Sequence, residues 1–405
     1  MPPGTLDDWT WIASDAAAEL VAAAAEADAG DANAITRLRK LVPGERDAIT
    51  AARLALELAE ARRKAVRKAL PPDVIADVEG VEMASSHAAA AHVTRRFASA
   101  GLPVVDLCSG VGGNAMALAD AGLEVTAIDS DPVRAWMTEH NAGCGTHVCD
   151  VTDAAALDGV DLEDAVAFAD PARRADDRRL RGLDAIAPPF DELHAVLTRF
   201  RGAAVKLASS TNAQDLPPGE LEIISEISSG RRTLTQAVWW TGSLAQRAGL
   251  LTATRLPEGV SISGTSINGP VAALSDVQPG TTIFEIDPAV ERVGLLGAIV
   301  RRLQGGAIAD PGTGLALGTS NPELEPWCTP YRVVEVAPGH PDRLAPVVKQ
   351  LQPGQVTVRT RGGFIVDPQA LAESLRGDSG RELIVFAMRF GDSPAALICE
   401  HVGTA

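Results

Sequence analysis

The chain has 405 residues, 46% of them hydrophobic and 22% charged, and a net charge of −17. That length accommodates two or three globular domains, and the excess of acid excludes bulk electrostatic attraction to nucleic acid, so any such contact must use a local basic patch. Five cysteines do not make a disulfide framework, and no apolar run reaches bilayer-spanning length. The N-terminal Met1 to Asp8 has neither the basic region nor the apolar core of a signal peptide, so the cytoplasm is the expected location and no membrane contact is expected. Cys144, His147 and Cys149 span only six residues, unlike the two spaced pairs usual for zinc, and no metal is expected.

Residues 1–98 read as a helical region. Ala13 to Ala29 is rich in alanine, Ala32 to Val42 places Ile35, Leu38 and Leu41 on one face, and Ile49 to Leu70 repeats apolar residues at spacings of three and four until Pro71-Pro72 stops it. Arg62, Arg63, Lys64, Arg67 and Lys68 crowd its last turns. A helix C-terminus favours such cations, and a basic face for a phosphate backbone is the competing reading. Ser85 or Ser86 caps a further helix through His92 to Phe97.

Residues 99–255 alternate strands with helical stretches. The expected strands are 104–108, 124–128, 146–149, 165–169 and 203–208, a pattern of parallel βαβ units that bind ligands beyond the strand C-terminal ends. Two more, Leu221 to Ile227 and Thr233 to Trp240, flank a hairpin turn at Ser229-Gly230-Arg231. The centre of this region is Val104-Val-Asp-Leu-Cys-Ser-Gly-Val-Gly-Gly-Asn114, a buried strand, a glycine turn and a helix start. Gly110, Gly112 and Gly113 let the backbone approach a ligand, and the helix start offers free N–H groups. Asp129 ends the second strand 23 residues after Asp106, a distance suited to ribose hydroxyls.

From 256 to 405 the texture changes. Pro-Gly and Asn-Gly-Pro punctuation marks a linker or small β-rich segment, followed by a mixed tail. Strands are expected at Ile283 to Ile286, Tyr331 to Val336, Val356 to Arg359, Glu382 to Arg389 and Ala395 to Glu400. Helices are expected at Pro288 to Leu303, Leu344 to Leu351 and Pro368 to Leu375.

An acid on the strand itself, in Asp106-x-Cys-x-Gly-x-Gly, departs from the Gly-x-Gly-x-x-Gly dinucleotide fingerprint. It resembles the first motif of class I S-adenosylmethionine-dependent methyltransferases. The longer string Asp106-x-x-x-Gly-Val-Gly-Gly-Asn114 with Ala-Ile-Asp129-x-Asp131-Pro132 is similar to the trimethylguanosine synthase branch. Together with Phe168-Ala-Asp170-Pro171-Ala172-Arg173-Arg174 and Val205-Lys206-Leu207-Ala208, it resembles the bacterial methyltransferases with a C-terminal THUMP-like domain, from about Glu79 onward. The resemblance implies an α/β fold: a Rossmann-like seven-stranded class I methyltransferase sheet, an N-terminal helical region, and a C-terminal α+β domain within 256–405.

The resemblance also implies site roles. S-adenosyl-L-methionine is the cofactor, with Asp106 and the Ser109, Gly110, Gly112 and Gly113 backbone at its amino-acid end, Asp129 on the ribose and Asp150 on the adenine amino group. Glu82, Ser85, His87 and His92 are candidates for covering it. Asp170 and Pro171 keep the acceptor half of the amino-methyltransferase motif. Ala172 and Arg173 replace its second proline and aromatic, so Arg173 is expected to stack or bind phosphate, with Trp136, Trp239 and Trp240 as other stacking candidates. Arg173, Arg174, Arg178, Arg179 and Arg181 form an arginine-rich rim, either a solvated loop or a phosphate clamp for RNA. Lys206 points to the same sheet end, toward ligand or a structural ion pair. The favoured reaction is N-methylation of an amino group in structured RNA. A protein side chain or small metabolite as substrate, and a catalytically silent cofactor-binding scaffold, are the alternatives.

Overall fold

The computed structural model describes residues 3–28, 31, 33–153, 157, 162–173, 182–228, 231–319, 321–364, 366–390 and 393–402. The chain divides into two units, one of residues 1–220 and 236–248, the other of residues 221–235 and 249–405.

In the first unit, α1 (Leu6–Ile12) opens on a capping box in which Thr5 and Asp8 serve each other's backbone N–H groups. Sequence periodicity did not find this helix. Its expected neighbour over Ala13 to Ala29 is shorter than anticipated: Ser14 is extended, one 3₁₀ turn follows, and α2 covers Ala18–Ala25. α3 (Ala34–Leu38) and α4 (Ala48–Arg67, capped by Asp47) complete the helical layer. Its core joins Trp9, Ile12, Leu20, Leu54 and Leu58 to Val111, Met116, Val133 and Met137 of the following α/β region. The helices are thus one face of that region's packing. The cations at the end of α4 are engaged with the segment after it. Arg62 donates to the Val74 and Asp73 carbonyls, Lys68 to those of Glu82 and Ala84, and Lys64 pairs with Glu82.

α5 (Val78–Met83) and α6 (His87–Ala100, capped by Ser86) lead into the sheet. Then follow β1 (Val104–Leu107), α7 (Gly113–Asp120), β2 (Val125–Asp129), α8 (Pro132–Ala142), β3 (Gly145–Val148) and β4 (Val166–Ala169). A two-residue pair, β5 (Ala172–Arg173) with β6 (Ile186–Ala187), precedes α9 (Phe190–Leu197) and β7 (Gly202–Leu207). β8 (Glu220–Ser228) and β9 (Arg231–Gly242) come next. Within this unit the strand order is β9-β7-β4-β1-β2-β3, parallel except for β9 against β7. β1 and β4 are buried throughout, as strands covered on both faces must be. The register sets Leu107 opposite both Ile128 and Ala169, so Asp106, Asp129 and Asp170 all fall at the carboxyl edge of the central strands.

In the second unit, β10 (Leu251–Arg255), a strand not expected from the sequence, runs parallel to β8 and antiparallel to β11 (Val260–Gly264), which lies in the segment from 256 read as a linker or small β-rich stretch. A seven-stranded sheet follows, built from β12 (Thr282–Ile286), β13 (Gln304–Ile308), β14 (Leu315–Thr319), β15 (Cys328–Pro338), β16 (Val356–Thr360), β17 (Leu383–Phe390) and β18 (Ser393–His401). Its order is β13-β14-β12-β15-β18-β17-β16, and only β16 and β17 are parallel among the pairs described. The strand period of two separates its cores. Ile384, Phe386 and Met388 face one cluster with Leu397 and Cys399. Leu383, Val385 and Ala387 face the other with Ala396 and Ile398. Leu344 and Val348 of α12 (Pro341–Gln350) and Leu371 and Leu375 of α13 (Pro368–Leu375) cover that second face. The single helix expected over Pro288 to Leu303 is instead two, α10 (Pro288–Val293) and α11 (Leu296–Val300). Gly294 takes a left-handed φ of 90° between them and ends the first.

One buried ion pair fixes the α5 segment. Asp77 caps α5 through Gly80 N and accepts from both Arg134 terminal nitrogens at 2.5 and 3.0 Å. Among the described residues, Asp77→Ala leaves the Arg134 charge with only the exposed Glu79 carboxylate at 3.8 Å, and unfolding by urea is expected to report a loss of about 3–5 kcal/mol. A loss below about 1 kcal/mol would refute this account.

Candidate active site

The turn after β1 is built from backbone constraints. Cys108 adopts φ 61°, and Gly110 and Gly112 adopt 60° and 82°. A Cβ at Gly112 would lie 3.1 Å from Thr138 Cα, whereas one at Gly110 would meet open space. Gly110 therefore leaves room where a ligand would approach the loop. Gly113 begins α7, and a Cβ there would approach the Ala84 methyl at 3.1 Å. Underneath, α8 holds the turn. Thr138 Oγ1 donates to the Gly110 carbonyl at 3.0 Å and lies 3.1 Å from Ser109 Oγ. Asn141 donates to the Val111 and Ile75 carbonyls and accepts from Ile75 N. Sequence reasoning missed both residues. Their signal was there: Arg134, Thr138 and Asn141 recur at spacings of four and three, a polar stripe down one face of α8.

Three acids meet at the sheet edge. Asp106 is 1% exposed, and neither carboxylate oxygen has a hydrogen-bond partner among the described residues. Burial first, then the nearby Asp170 and Asp129 charges, push its pKa well above the carboxylate range. The Ala115 amide and the Lys206 ammonium compensate only weakly. Asp129 accepts from Gly110 N and Asp131 N, both at 2.9 Å, and burial raises its pKa. Asp150, after β3, is exposed and bound by Thr152 N and Oγ1, which hold its pKa below the usual range.

Asp170 follows β4. Its Oδ2 accepts from Lys206 Nζ at 2.7 Å, and the same ammonium donates to the Met83 carbonyl at 2.7 Å. Lys206, for which sequence left ligand contact and ion pairing open, therefore ties α5 to β4. Pro171 is buried beside Asp170. The backbone of Arg173 lies in β5, opposite Ile186. Its side chain, together with Arg174, Arg178, Arg179 and Arg181, lies outside the described residues.

The other candidates scatter. Glu82 pairs with Lys64, Ser85 is buried 3.4 Å from Gln236 Oε1, His92 meets Arg95, and His87 N donates to the Lys68 carbonyl. Trp239 and Trp240 are fully buried, with Trp240 under the Arg96 guanidinium, so neither presents a ring for stacking. Trp136 packs on His140 at the N-terminal core.

An orphaned, fully buried carboxylate beside an open glycine turn suits a cationic ligand that would restore its ionised form. Two comparisons bear on what that ligand is. Residues 102–168 match the family of RNA cap guanine-N2 methyltransferases, and residues 328–401 match the THUMP domain-like family. The chain is an S-adenosylmethionine-dependent methyltransferase. Its fold aligns with the crystal structure of a "putative methyltransferase from Porphyromonas gingivalis W83" over 95% of this chain and 99% of that one, at TM-score 0.66 and 16% identity. A protein of Thermoplasma acidophilum aligns over 44% of this chain and 95% of its own, at TM-score 0.27 and 16% identity. The CcbJ methyltransferase of Streptomyces caelestis aligns over 37% and 71%, at TM-score 0.24 and 17% identity. No curated protein matches the chain. Among the described residues, no helix of the methyltransferase is long and apolar enough to cross a membrane.

The Asp106 environment makes a signed prediction. Its folded pKa is raised, so its contribution to stability is full at acid pH and is lost as pH rises through the folded value. Asp106→Asn is expected to match the parent at acid pH and to exceed it at neutral pH by about 1–3 kcal/mol in the ligand-free state. The same change is expected to weaken S-adenosylmethionine binding by about ten- to a hundredfold. Paired denaturant titrations and calorimetry check both halves; unchanged cofactor affinity would remove Asp106 from the site.

Proposed function

We propose that this methyltransferase N-methylates an amino group in structured RNA. The observation that carries the proposal is Asp170: one carboxylate oxygen is held by Lys206, and the other has no hydrogen bond among the described residues. The match of residues 102–168 to a family described by RNA guanine-N2 methylation supports the substrate class, although it ends two residues before Asp170. The domain reading that goes with it takes residues 1–98 as helical cover, 99–255 as the catalytic domain and 256–405 as linker and THUMP-like domain.

When bound, S-adenosylmethionine supplies a methyl group on a sulfonium sulfur, open to in-line displacement. Asp106 would face its ammonium, with the Ser109 to Gly113 backbone around the same end. Asp129 would hold the ribose hydroxyls and Asp150 the adenine amino group. Asp170 Oδ1 accepts an N–H of the target amine and so turns the nitrogen lone pair toward the methyl carbon. Lys206 prevents the carboxylate from rotating away. As the nitrogen forms its new bond it gains positive charge, which the same carboxylate stabilises until an N–H proton departs. Orientation of this kind contributes about 7–11 kcal/mol at best. Arg173 stands where the related motif has an aromatic, so its guanidinium plane or charge would take over contact with base or phosphate. The arginines at 173–181 would supply phosphate contacts that position the substrate.

Labelled methyl transfer into fractionated cell extract tests the proposal. The expected counts are lost with ribonuclease and fall about a hundredfold or more in Asp170→Ala, with cofactor affinity retained. Lys206→Met is expected to lower turnover more than it raises the KM for cofactor. Counts that resist ribonuclease but vanish with protease would overturn the RNA substrate.

A further inference from the structure

The second unit contains a cleft of about 790 Å³, within the size range of small-molecule sites. Five arginines line it: Arg231, Arg232, Arg255, Arg359 and Arg361. They face three carboxylates, those of Glu285, Asp287 and Glu291. A concave surface with two more cations than anions is unexpected in a chain of net charge −17.

The charges are layered. Asp287 is 1% exposed and lies 3.5 Å from both Arg232 Nε and Arg255 Nε, whose side chains are 14% and 20% exposed. Glu285 is 17% exposed and pairs with Arg359 and Arg361, which are 29% and 31% exposed. Glu285 thus lies deeper than the two guanidiniums it holds, whereas Arg232 and Arg255 lie above Asp287 and also share the more exposed Glu258, at 2.5 and 3.2 Å. Tyr331 makes the second group firmer. Its hydroxyl donates to Glu285 at 3.2 Å and accepts from Arg359 at 3.1 Å. Burial pushes that phenol up to about 12, so it remains a donor.

The pairs do not exhaust the donors. Among the described residues, Arg359 hydrogen-bonds through Nη1 and Arg361 through its two terminal nitrogens. Arg255 Nε is buried against Asp287 at 3.5 Å, without a hydrogen bond among the described residues. Arg231 is exposed and has no ion pair among the described residues. A single carboxylate is satisfied by one guanidinium fork, whereas a phosphoryl group offers three acceptor oxygens and a second charge. The lining also includes Gly312 and Gly363, at φ 81° and 70°, where a Cβ would meet nothing within 4 Å.

We propose that this cleft is a binding site for a small phosphoryl-bearing ligand, held between the Arg359–Arg361 pair and the Arg232–Arg255 pair with Arg231 at its mouth. The carboxylates beneath act as positioning residues that fix the guanidinium planes before the ligand arrives.

The test is calorimetric titration of the full chain with sodium pyrophosphate, against citrate and against sodium chloride at equal ionic strength. Saturable binding of pyrophosphate is expected, with affinity falling about tenfold or more in both Arg231→Glu and Arg361→Gln. S-adenosylmethionine affinity is expected to be unchanged in both variants. If Arg361→Gln loses its fold with the Glu285 pair, Arg231→Glu decides alone, because Arg231 has no ion pair among the described residues to break. Heat no greater than that of sodium chloride, equal binding of citrate, or variants that bind as the parent does would each overturn the proposal. An unphosphorylated oligonucleotide that competes fully with pyrophosphate would overturn the small-ligand assignment.

Discussion

The polar stripe on α8 is the constraint on which the cofactor half of the molecule depends. A helix that packs against a sheet ordinarily turns apolar residues inward, and α8 does so with Val133, Ala135 and Met137. Arg134, Thr138 and Asn141 occupy the adjacent face, and all three bond to loops rather than to helices. Arg134 takes Asp77 at the start of α5, Thr138 takes the carbonyl of Gly110, and Asn141 joins Ile75 to Val111. Two segments, 71–84 and 108–112, are thereby held to one rigid element. Left-handed backbone at Cys108, Gly110 and Gly112 is costly in isolation, and such conformations persist where surrounding contacts over-determine them.

That rigidity explains why an electrostatically poor arrangement persists at the sheet edge. Burial and the neighbouring Asp170 and Asp129 charges disfavour ionisation of Asp106, and neither of its oxygens has a hydrogen-bond partner among the described residues. A flexible loop would relax by rotating Asp106 outward or by pulling Lys206 across to it. Neither is open here. β1 is buried on both faces, and Lys206 is committed to the Met83 carbonyl and Asp170. The fold therefore carries a buried carboxyl whose ionised form a bound cation would stabilise, at a cost borne by the ligand-free state. This is the pattern expected where binding energy, not folding energy, is the selected quantity.

Much of this was legible in the sequence, for physical reasons that differ by element. The parallel strands announced themselves because residues buried on both faces form short apolar runs, and the glycine turn did so because only glycine tolerates its backbone cheaply. In the tail, β16 to β18 and α13 were found within about two residues, since their alternation and proline starts are local signals. What was not legible depends on partners distant in sequence. α1 is only seven residues long, too short for periodicity to detect, and its capping box was the readable clue. β10, β13 and β14 are five-residue strands in glycine-broken text, defined by neighbours more than by their own pattern. The roles of Lys68, Arg62 and Lys206 required knowing which carbonyls would lie within reach; sequence offered the helix dipole or a basic face for the first two, and ligand contact or an ion pair for Lys206.

The two arginine-bearing features of the chain show how differently the same residue type can be used. At 173–181 five arginines fall within nine residues, so they were conspicuous in the sequence, with Asp176 and Asp177 between them. In the second unit the arginines come from β9, β10 and the end of β16 or just beyond it, the last pair more than a hundred residues from the others, and no short window of sequence displays them as a group. Their partners differ as well. Asp287 and Glu285 come from β12 and the residue after it, and alternation along that strand separates Glu285 from the buried Phe284 and Ile286. One strand end thus supplies two of the carboxylates that orient the four guanidiniums, and Glu258 adds a third at Arg232 and Arg255. An arrangement assembled from such separated residues, with Asp287 and Glu285 less exposed than the cations they hold, costs desolvation that surface pairing would avoid. A ligand whose charge requires preset guanidinium planes gives that cost a function.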